Sequence, residues 1–225
     1  MPVLNEAGGM RQIIPLIDRS LFHQILVVDG QSTDGSAKLA REMGCEVYVQ
    51  KKKGIRHAYT EAWPLIRGVV VVTLSPDGNC KIDLLPQLLS KIKEGYDMVI
   101  ASRYLDGIKS EDDTLVTRFG NRMFTGLINF LHGSRYTDAM GIYRAYRTQL
   151  FYDLKLDQDA SYFPESLIGT VAGVEPLLSI RAAKQKVKAA EILAPEPPRL
   201  AGERKLQVFR WGLVYLYQTF RELFR

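Results

Sequence analysis

Apolar residues recur along the first half of the chain in two alternating patterns. Short runs rich in Val, Ile and Leu predict strands at 24–28, 46–49, 69–74 and 97–101. Between these runs, apolar positions at helical spacing predict helices near 9–17, 34–43, 57–66 and 83–93. Because strands that alternate with helices are typical of a parallel sheet covered by helices, the pattern predicts an α/β fold with a mainly parallel sheet.

The second half of the chain is predicted to be mostly helical. Helices are expected at 117–131 and at about 163–184, with the loop TDAMGIYRAYR between them. A short strand is predicted at 186–192, and the prolines and glycine of APEPPRLAGERK indicate a further loop. Apolar residues at helical spacing then predict an amphipathic helix over 204–225.

The composition fits one main globular unit of 225 residues, with 46% hydrophobic and 24% charged residues. We assign residues 1–192 to the main domain and residues 193–225 to a basic loop and the C-terminal helix. The N-terminus lacks the pattern of a signal peptide, and no apolar run reaches the length of a membrane span. With only two cysteines, the chain is expected to be cytoplasmic, with peripheral contact to the cytoplasmic membrane face as a further option.

The net charge of +5 and the pI of about 9.1 narrow the range of expected partners. A basic protein attracts anions such as nucleotides, phosphates and acidic lipid surfaces. The basic residues are spread along the chain without a recognition motif, so nucleic acid is not expected as a partner. The three histidines, His23, His57 and His132, lack the spacing of a zinc site.

Two of the predicted strands end directly in polar loops, VVDGQSTDGS and VVTLSPDGN. Since ligands of open α/β sheets bind at the carboxyl ends of the strands, both loops are expected to face a ligand. In the first loop, the Asp29 carboxylate is suited to accept hydrogen bonds from a base or a ribose. A plain turn in which Thr33 or Asp34 caps the next helix explains this loop equally well.

The second loop is a candidate metal site. Asp77 and Asn79 follow a run of four valines, and a proline and a glycine shape a tight turn around them. Mg²⁺ and Mn²⁺ bind through one or two carboxylates together with substrate phosphates. Because an Asp-Gly pair is also a common surface turn, only the position after a buried strand favours the metal. The loop KKKGIRHAYTEA adds Gly54 and Arg56 as weaker candidates for phosphate contact.

Six segments occur in the order seen in one known family. They are PVLNEA, VVDGQSTDGS, SPDGN, ASRYLDG, TDAMGIYRAYR and RLAGERKL. Together they resemble the family 2 glycosyltransferases with the GT-A fold, in particular the branch similar to dolichyl-phosphate mannosyltransferase and the polyprenyl-phosphate glycosyltransferases. The resemblance covers about residues 2–206, and it is specific for the family but not for the sugar.

The resemblance implies functional roles for individual residues. A nucleotide-binding role is implied for Pro2, Leu4, Glu6, Asp29, Arg56, Ser75 and Lys205. Asp77 and Asn79 match the family's metal motif, which would hold Mg²⁺ or Mn²⁺. A catalytic role is implied for Arg103 and Arg199, which would meet phosphate, and for Asp138, which would face the reacting sugar. Arg144 follows Asp138 in the same motif, and Glu165 would match an acidic residue of the next helix.

The sequence departs from the family pattern at four places. Ser75 stands where the first Asp of the metal motif is common, and Gly30 replaces a frequent second Asp of the base pocket. Ile142 stands where glycine is usual, close to Asp138. The first strand of the fold, which would precede Pro2, is expected to be missing.

The resemblance implies transfer of a hexose, with inversion, from a UDP- or GDP-hexose to a polyprenyl phosphate. A glycan acceptor with a sugar hydroxyl is the alternative, for which Asp138 would be the base. A catalytically impaired nucleotide-binding protein is a third hypothesis, and a nucleotidyltransferase is disfavoured because the N-terminus lacks a glycine-rich basic signature. The C-terminal helix would dock on a membrane or partner or pack on its own domain, and homo-oligomers are a further option.

Overall fold

The computed structural model describes residues 1–108, 110–200 and 207–225. The strands of this part of the chain are Pro2–Val3 (β1), Leu26–Asp29 (β2), Glu46–Val49 (β3), Val70–Thr73 (β4), Met98–Ser102 (β5), Arg144–Arg147 (β6) and Ala189–Leu193 (β7). Its α-helices are Ala7–Ile13 (α1), Ser36–Glu42 (α2), Ile55–Ala62 (α3), Leu85–Lys93 (α4), Leu115–His132 (α5), Leu150–Asp153 (α6), Phe163–Ile168 (α7), Glu175–Lys184 (α8) and Val208–Arg221 (α9). The four strands predicted in the first half correspond to β2–β5, and the strand predicted at 186–192 corresponds to β7.

The strands form two sheets. The first has the order β1-β2-β3 and is entirely parallel. The second has the order β4-β6-β5-β7, in which β6 runs antiparallel to both of its neighbours and β7 runs parallel to β5. The structure therefore confirms the predicted α/β class with helices on a largely parallel sheet, and adds one antiparallel strand.

That antiparallel strand was predicted as part of a loop, and this prediction was wrong. Arg144, Ala145 and Tyr146 are all buried, because β6 lies between two other strands and is covered on both faces. Such a strand shows no alternation of polar and apolar residues. The buried guanidinium of Arg144 donates hydrogen bonds to the carbonyls of Ala139 and Gly141, at 2.7 and 2.6 Å, so an arginine occupies a core position.

Pro2–Val3 form a two-residue strand at the start of the described chain, whereas the strand expected to be missing would precede Pro2. Pro2–Val3 pair in parallel with the end of β2, with Pro2 opposite Val28. The backbone of Gly30 donates a 2.8 Å hydrogen bond to the Val3 carbonyl, so the pairing continues into the loop after β2. Short as it is, β1 places the PVLNEA segment at the carboxyl edge of the first sheet.

The helix predicted over 163–184 is divided in two. Gly169 ends α7 in a left-handed conformation with φ of 67°, which residues other than glycine adopt only with strain. A proline in the first turn of α8 starts the next helix. Because of this break, loop 169–174 between α7 and α8 can approach the loop after β3.

Apolar side chains cover both faces of the second sheet. On one face, Leu85 and Leu88 of α4 pack in a cluster with Val99. On the other face, Trp63 stacks on Phe151, with ring centroids 4.0 Å apart, within the cluster that also contains residues of α8. Burial of each such side chain contributes about 1.5–3 kcal/mol, so the sheet that carries the site loops is rigidly supported.

The C-terminal helix packs on its own domain along one face. Val214 and Tyr215 are buried against Phe124 of α5, and Arg181 of α8 forms an ion pair of 2.8 Å with Glu222. The opposite face is apolar and exposed; its residues include Phe209, Leu213, Leu216, Tyr217 and Phe220. Within the described residues, no helix has the length and hydropathy needed to cross a bilayer.

Candidate active site

A cavity of about 850 Å³ lies at the carboxyl ends of the strands. The loops after β1, β2, β4, β5 and β7 form one side of it, and helices α5 and α9 form the other. The predicted site residues that line it are Pro2, Leu4, Glu6, Ser75, Asp77, Asn79, Arg103 and Arg199. Lys205 lies outside the described residues. Most of the predicted site is therefore brought to one cavity by residues that are far apart in sequence.

Hydrogen bonds join the loops after β1 and β2. The backbone amides of Glu6 and Ala7 donate to the side chains of Ser36, at 3.0 Å, and Asp34, at 2.9 Å. In return, the Asn5 side chain accepts a 2.8 Å bond from the backbone of Thr33. The polar residues of the loop after β2, which would also fit a simple helix cap, therefore hold the loop after β1 in place as part of the cavity wall.

Asp29 lies directly beneath this wall. It is buried, and its Oδ2 accepts bonds of 3.1 Å from the backbone amides of Gln31 and Ser32. Its Oδ1 is buried without a hydrogen-bond partner. Since a buried acceptor without a donor costs about 1–3 kcal/mol, a donor group of a bound ligand would be stabilised there. Gly30, the next residue, lines the cavity itself.

The SPDGN loop depends on two glycines. A Cβ at Gly9 of α1 would lie 2.2 Å from the carbonyl oxygen of Pro76, and one at Gly78 would lie 2.4 Å from Leu200. Gly78 also has a φ of 98°. The loop is thus held between α1 and the segment after β7, with Asp77 facing the cavity.

Asp77 and Asn79 suit a divalent cation. The Asp77 Oδ1 accepts a 3.1 Å hydrogen bond from the Asn79 backbone amide, and Oδ2 forms a 3.0 Å ion pair with Arg199. Asn79 donates to Asp112, and its own Oδ1 is buried without a partner. Carboxylate and amide oxygens are ligands for Mg²⁺ and Mn²⁺. No cluster of three or more acidic, His or Cys ligands occurs in the described ranges.

Arg103 lines the cavity, and Asp138 contacts the Arg103 guanidinium from the side away from the cavity. The guanidinium contacts the Asp138 carboxylate at 2.6 and 3.0 Å, and Asn121 donates to the same carboxylate at 2.9 Å. Burial alone would raise the pKa of Asp138, but the charge of Arg103 and these hydrogen bonds hold it well below its ordinary value. Asp138 is fully buried and is not part of the cavity wall, so the structure places it where it positions Arg103.

Arg56 also lies outside the cavity wall. Its guanidinium pairs with Glu165 at 2.8 Å and with Asp159 at 2.7 Å, and it lies over the ring of Tyr162. The two proposed site residues Arg56 and Glu165 therefore contact each other. The neighbouring Gly54 does line the cavity, and a Cβ there would lie 2.6 Å from Val171.

Glu175 is a cavity residue that the sequence analysis missed. It is buried in the first turn of α8, and the Tyr59 hydroxyl donates a 2.5 Å bond to it. Burial raises the pKa of Glu175, against the opposing effect of this hydrogen bond. Because one continuous helix was predicted over 163–184, Glu175 was not recognised as a site residue. The glycines and proline of GTVAGVEP were the signal for the break.

The wall between α5 and α9 is mainly apolar. It is formed by Val116, Gly120, Phe124, Met140, Val208, Trp211, Gly212 and Tyr215. Beside it, Leu115 and Phe119 are 82% and 70% exposed, and Phe209 is 83% exposed. The cavity thus combines a polar region near Asp77 and Arg103 with an apolar region that continues onto an apolar surface.

The family model of glycosyl transferase family 2 matches residues 1–155. The chain belongs to this family. A glycosyltransferase AglJ of Haloferax volcanii is 30% identical over 222 residues, which are 98% of this chain and 69% of that protein. A dolichyl-phosphate hexose transferase of the same organism is 31% identical over 214 residues, 94% of this chain and 87% of that protein.

A solved structure with similar architecture is glucosyl-3-phosphoglycerate synthase from Mycobacterium tuberculosis, in complex with Mn²⁺, UDP-glucose and phosphoglyceric acid. The TM-score is 0.66, with 18% sequence identity, over 97% of this chain and 77% of that one. At this identity the likeness concerns the fold, which is GT-A, as the sequence motifs implied.

Proposed function

We propose that this protein transfers a hexose from a UDP- or GDP-hexose to a polyprenyl phosphate, with inversion at the anomeric carbon. The observation that carries the proposal is the division of the cavity into a polar and an apolar region. One region offers Asp77, Asn79 and Arg103 to phosphates, and the other offers an apolar wall to a long hydrocarbon chain. The likeness to a dolichyl-phosphate hexose transferase supports such an acceptor.

The donor would lie along the loops after β1 and β2, with its base and ribose near Leu4, Gly30 and Asp29. Asp77 and Asn79 would hold a Mg²⁺ or Mn²⁺ ion, which when bound acts as a Lewis acid toward the departing diphosphate. The protein with Mn²⁺ and UDP-glucose among the structural neighbours supports this cofactor class.

The acceptor would present its phosphate to Arg103. This side chain is already oriented by contacts of its Nε and Nη2 to Asp138, and Nη1, 3.7 Å from Glu196, would donate a charge-assisted hydrogen bond to a phosphate oxygen. A phosphate oxygen forms the new bond to the anomeric carbon, while the bond from that carbon to the nucleotide's diphosphate oxygen breaks. A phosphate monoester is already an anion near neutral pH, so the attack needs no strong general base.

Two glycines of α5 test the acceptor region. A Cβ at Gly120, which lines the cavity, or at Gly126, which does not, meets no atom within 4 Å. We expect Gly120→Leu to reduce transfer to a long polyprenyl phosphate by about 10-fold, which corresponds to about 1.4 kcal/mol of lost apolar contact. Gly126→Leu is the matched control and should retain activity. Equal activity of both variants with the long acceptor would contradict the proposal.

A sugar hydroxyl is the second candidate acceptor, because Glu175 is a cavity carboxyl with a raised pKa. Such a group is suited to remove a proton from a hydroxyl, whereas Asp138 lies behind the wall in an ion pair. Glu175→Gln distinguishes the two acceptors. Transfer to a polyprenyl phosphate should survive the change, whereas transfer to a glycan hydroxyl would fall by about 100-fold or more if Glu175 were its base.

The apolar surface beside the cavity would rest on the cytoplasmic face of a membrane, where a lipid acceptor enters. Exposed apolar residues of α5 and α9, together with the positive net charge, support this contact. The test is flotation with anionic liposomes of Phe209→Ser combined with Leu213→Ser. Phe130→Ser, an 84% exposed position near the other end of α5, is the control. Unchanged flotation of the double variant would exclude this surface.

A further inference from the structure

Arg199 and Asp77 form an ion pair inside the candidate active site. Arg199 Nη1 lies 3.0 Å from Asp77 Oδ2, and the two side chains are 20% and 6% exposed. The same guanidinium nitrogen lies 4.0 Å from Glu6 Oε1. A charge-assisted contact between largely buried groups is stronger than an exposed surface pair, so it holds Arg199 in place.

The pair is part of a larger attachment of the segment after β7. The backbone amide of Leu200 donates a 2.8 Å hydrogen bond to the Asp77 carbonyl. The Leu200 side chain packs over Gly78, where an added Cβ would come within 2.4 Å of it. Residues 199–200 are thus fastened to residues 77–78 by an ion pair, a backbone hydrogen bond and an apolar contact.

The Asp77 carboxylate already has a partner at each oxygen. Oδ1 accepts from the Asn79 backbone within the turn, and Oδ2 is the oxygen that Arg199 contacts. A divalent cation bound at Asp77 would share the carboxylate charge with the Arg199 guanidinium. A divalent cation and a guanidinium at one carboxylate also repel each other, by about 2–8 kcal/mol at 4 Å in water or near a protein surface. Full contact of Asp77 with both is therefore unfavourable.

We infer that Arg199 is a latch on Asp77, which competes with the divalent cation and is released when the cation binds. The inference rests on the proposed function of Asp77 as a metal ligand. Once released, the guanidinium remains on the cavity wall and can bind the acceptor phosphate. Because coupling between two sites is reciprocal, a phosphate that binds Arg199 would in turn strengthen metal binding at Asp77. The latch thus makes the metal and the acceptor phosphate bind cooperatively.

The first test measures Mn²⁺ affinity without nucleotide, by the electron paramagnetic resonance signal of free Mn²⁺. We expect Arg199→Gln to bind Mn²⁺ about 10-fold more tightly than the wild type, since a charge-assisted hydrogen bond no longer has to be displaced. Arg147→Gln is the control, because it removes the same charge from another Arg–Asp pair, of 2.9 Å with Asp97. Its affinity should equal that of the wild type. Equal affinity in Arg199→Gln would overturn the inference.

A second test uses the wild type and does not depend on the folding of a variant. Hydrogen exchange of the Leu200 amide, which bonds to Asp77, should become several-fold faster on addition of Mn²⁺. Unchanged exchange at saturating Mn²⁺ would overturn the latch and leave the proposed function intact. Failure of Mn²⁺ to bind even with UDP or GDP present would overturn both.

Discussion

Two arginine–aspartate pairs lie at the same cavity, and the chain holds them very differently. Asp138 is fully buried and accepts bonds from Arg103, Asn121 and backbone amides. Asp77 contacts Arg199 at 3.0 Å and keeps a place on the cavity wall. We infer that the first pair is a rigid support and the second an exchangeable contact. The two aspartate side chains are 0% and 6% exposed, so the position of Asp138 behind the wall and its additional donors make the difference, and burial does not.

The largest expected effect concerns the rigid pair. Asp138→Asn leaves the Arg103 guanidinium without its counter-charge. Loss of one partner of a buried ion pair lowers the free energy of unfolding by about 3–5 kcal/mol. Urea unfolding measures this loss. If the free energy of unfolding fell by less than about 1 kcal/mol, the Arg103–Asp138 pair would not be the rigid support described here.

The pH dependence of stability follows from the same pair. The folded-state pKa of Asp138 lies below its ordinary value of 3.8, so the folded protein binds fewer protons than the unfolded chain. This stabilisation is present above about pH 4 and is lost as the pH falls toward the folded-state pKa. The wild type should therefore lose stability more steeply below pH 4 than Asp138→Asn. Parallel unfolding curves for the two proteins would contradict this assignment.

Removal of the other aspartate should affect ligand binding more than stability. We expect Asp77→Ala to lose metal-dependent binding of a nucleoside diphosphate, because the diphosphate charge is then uncompensated. Calorimetric titration with UDP and GDP, with and without Mn²⁺, is the measurement. Binding that keeps the metal dependence of the wild type would mean that Asp77 is not a metal ligand.

A third buried carboxylate sharpens the comparison. Glu175 has the Tyr59 hydroxyl as its partner, and burial raises its pKa above its ordinary value of 4.5. Its folded state therefore binds the proton more tightly, and stability declines as the pH rises through the folded-state pKa. Glu175→Gln should equal the wild type near pH 4 and be more stable than the wild type at pH 8. Lower stability of the variant at pH 8 would contradict the raised pKa.

The smallest expected effect is at Ser75, which lines the cavity two residues before Asp77. Ser75→Asp adds a second carboxylate and should tighten Mn²⁺ binding several-fold while the fold is retained. Weaker Mn²⁺ binding in this variant would count against the match of SPDGN to a metal motif.

The sequence alone determined the α/β class, the strands β2–β5 and β7, and the position of the site at the carboxyl ends of strands. These features depend on local periodicity and on turn residues, which a single chain displays directly. Asp77 and Asn79 were predicted for the same reason, because they stand immediately after such a strand, whereas Arg103 was predicted from the family resemblance. The family resemblance added Pro2, Leu4, Glu6 and Arg199, which the structure brings to the same cavity.

Only the tertiary structure decided which charged residues face the cavity and which support it. Strand β6 has no alternating pattern because it is buried on both faces, and Arg144 inside it donates to backbone carbonyls of the loop just before it and to Ser179 of α8. Asp138 and Arg56 lie behind the wall because their partners come from other elements of the fold. The contact of Arg199 with Asp77 joins residues more than a hundred positions apart. Such pairings depend on the folded path of the chain, and no local sequence pattern encodes them.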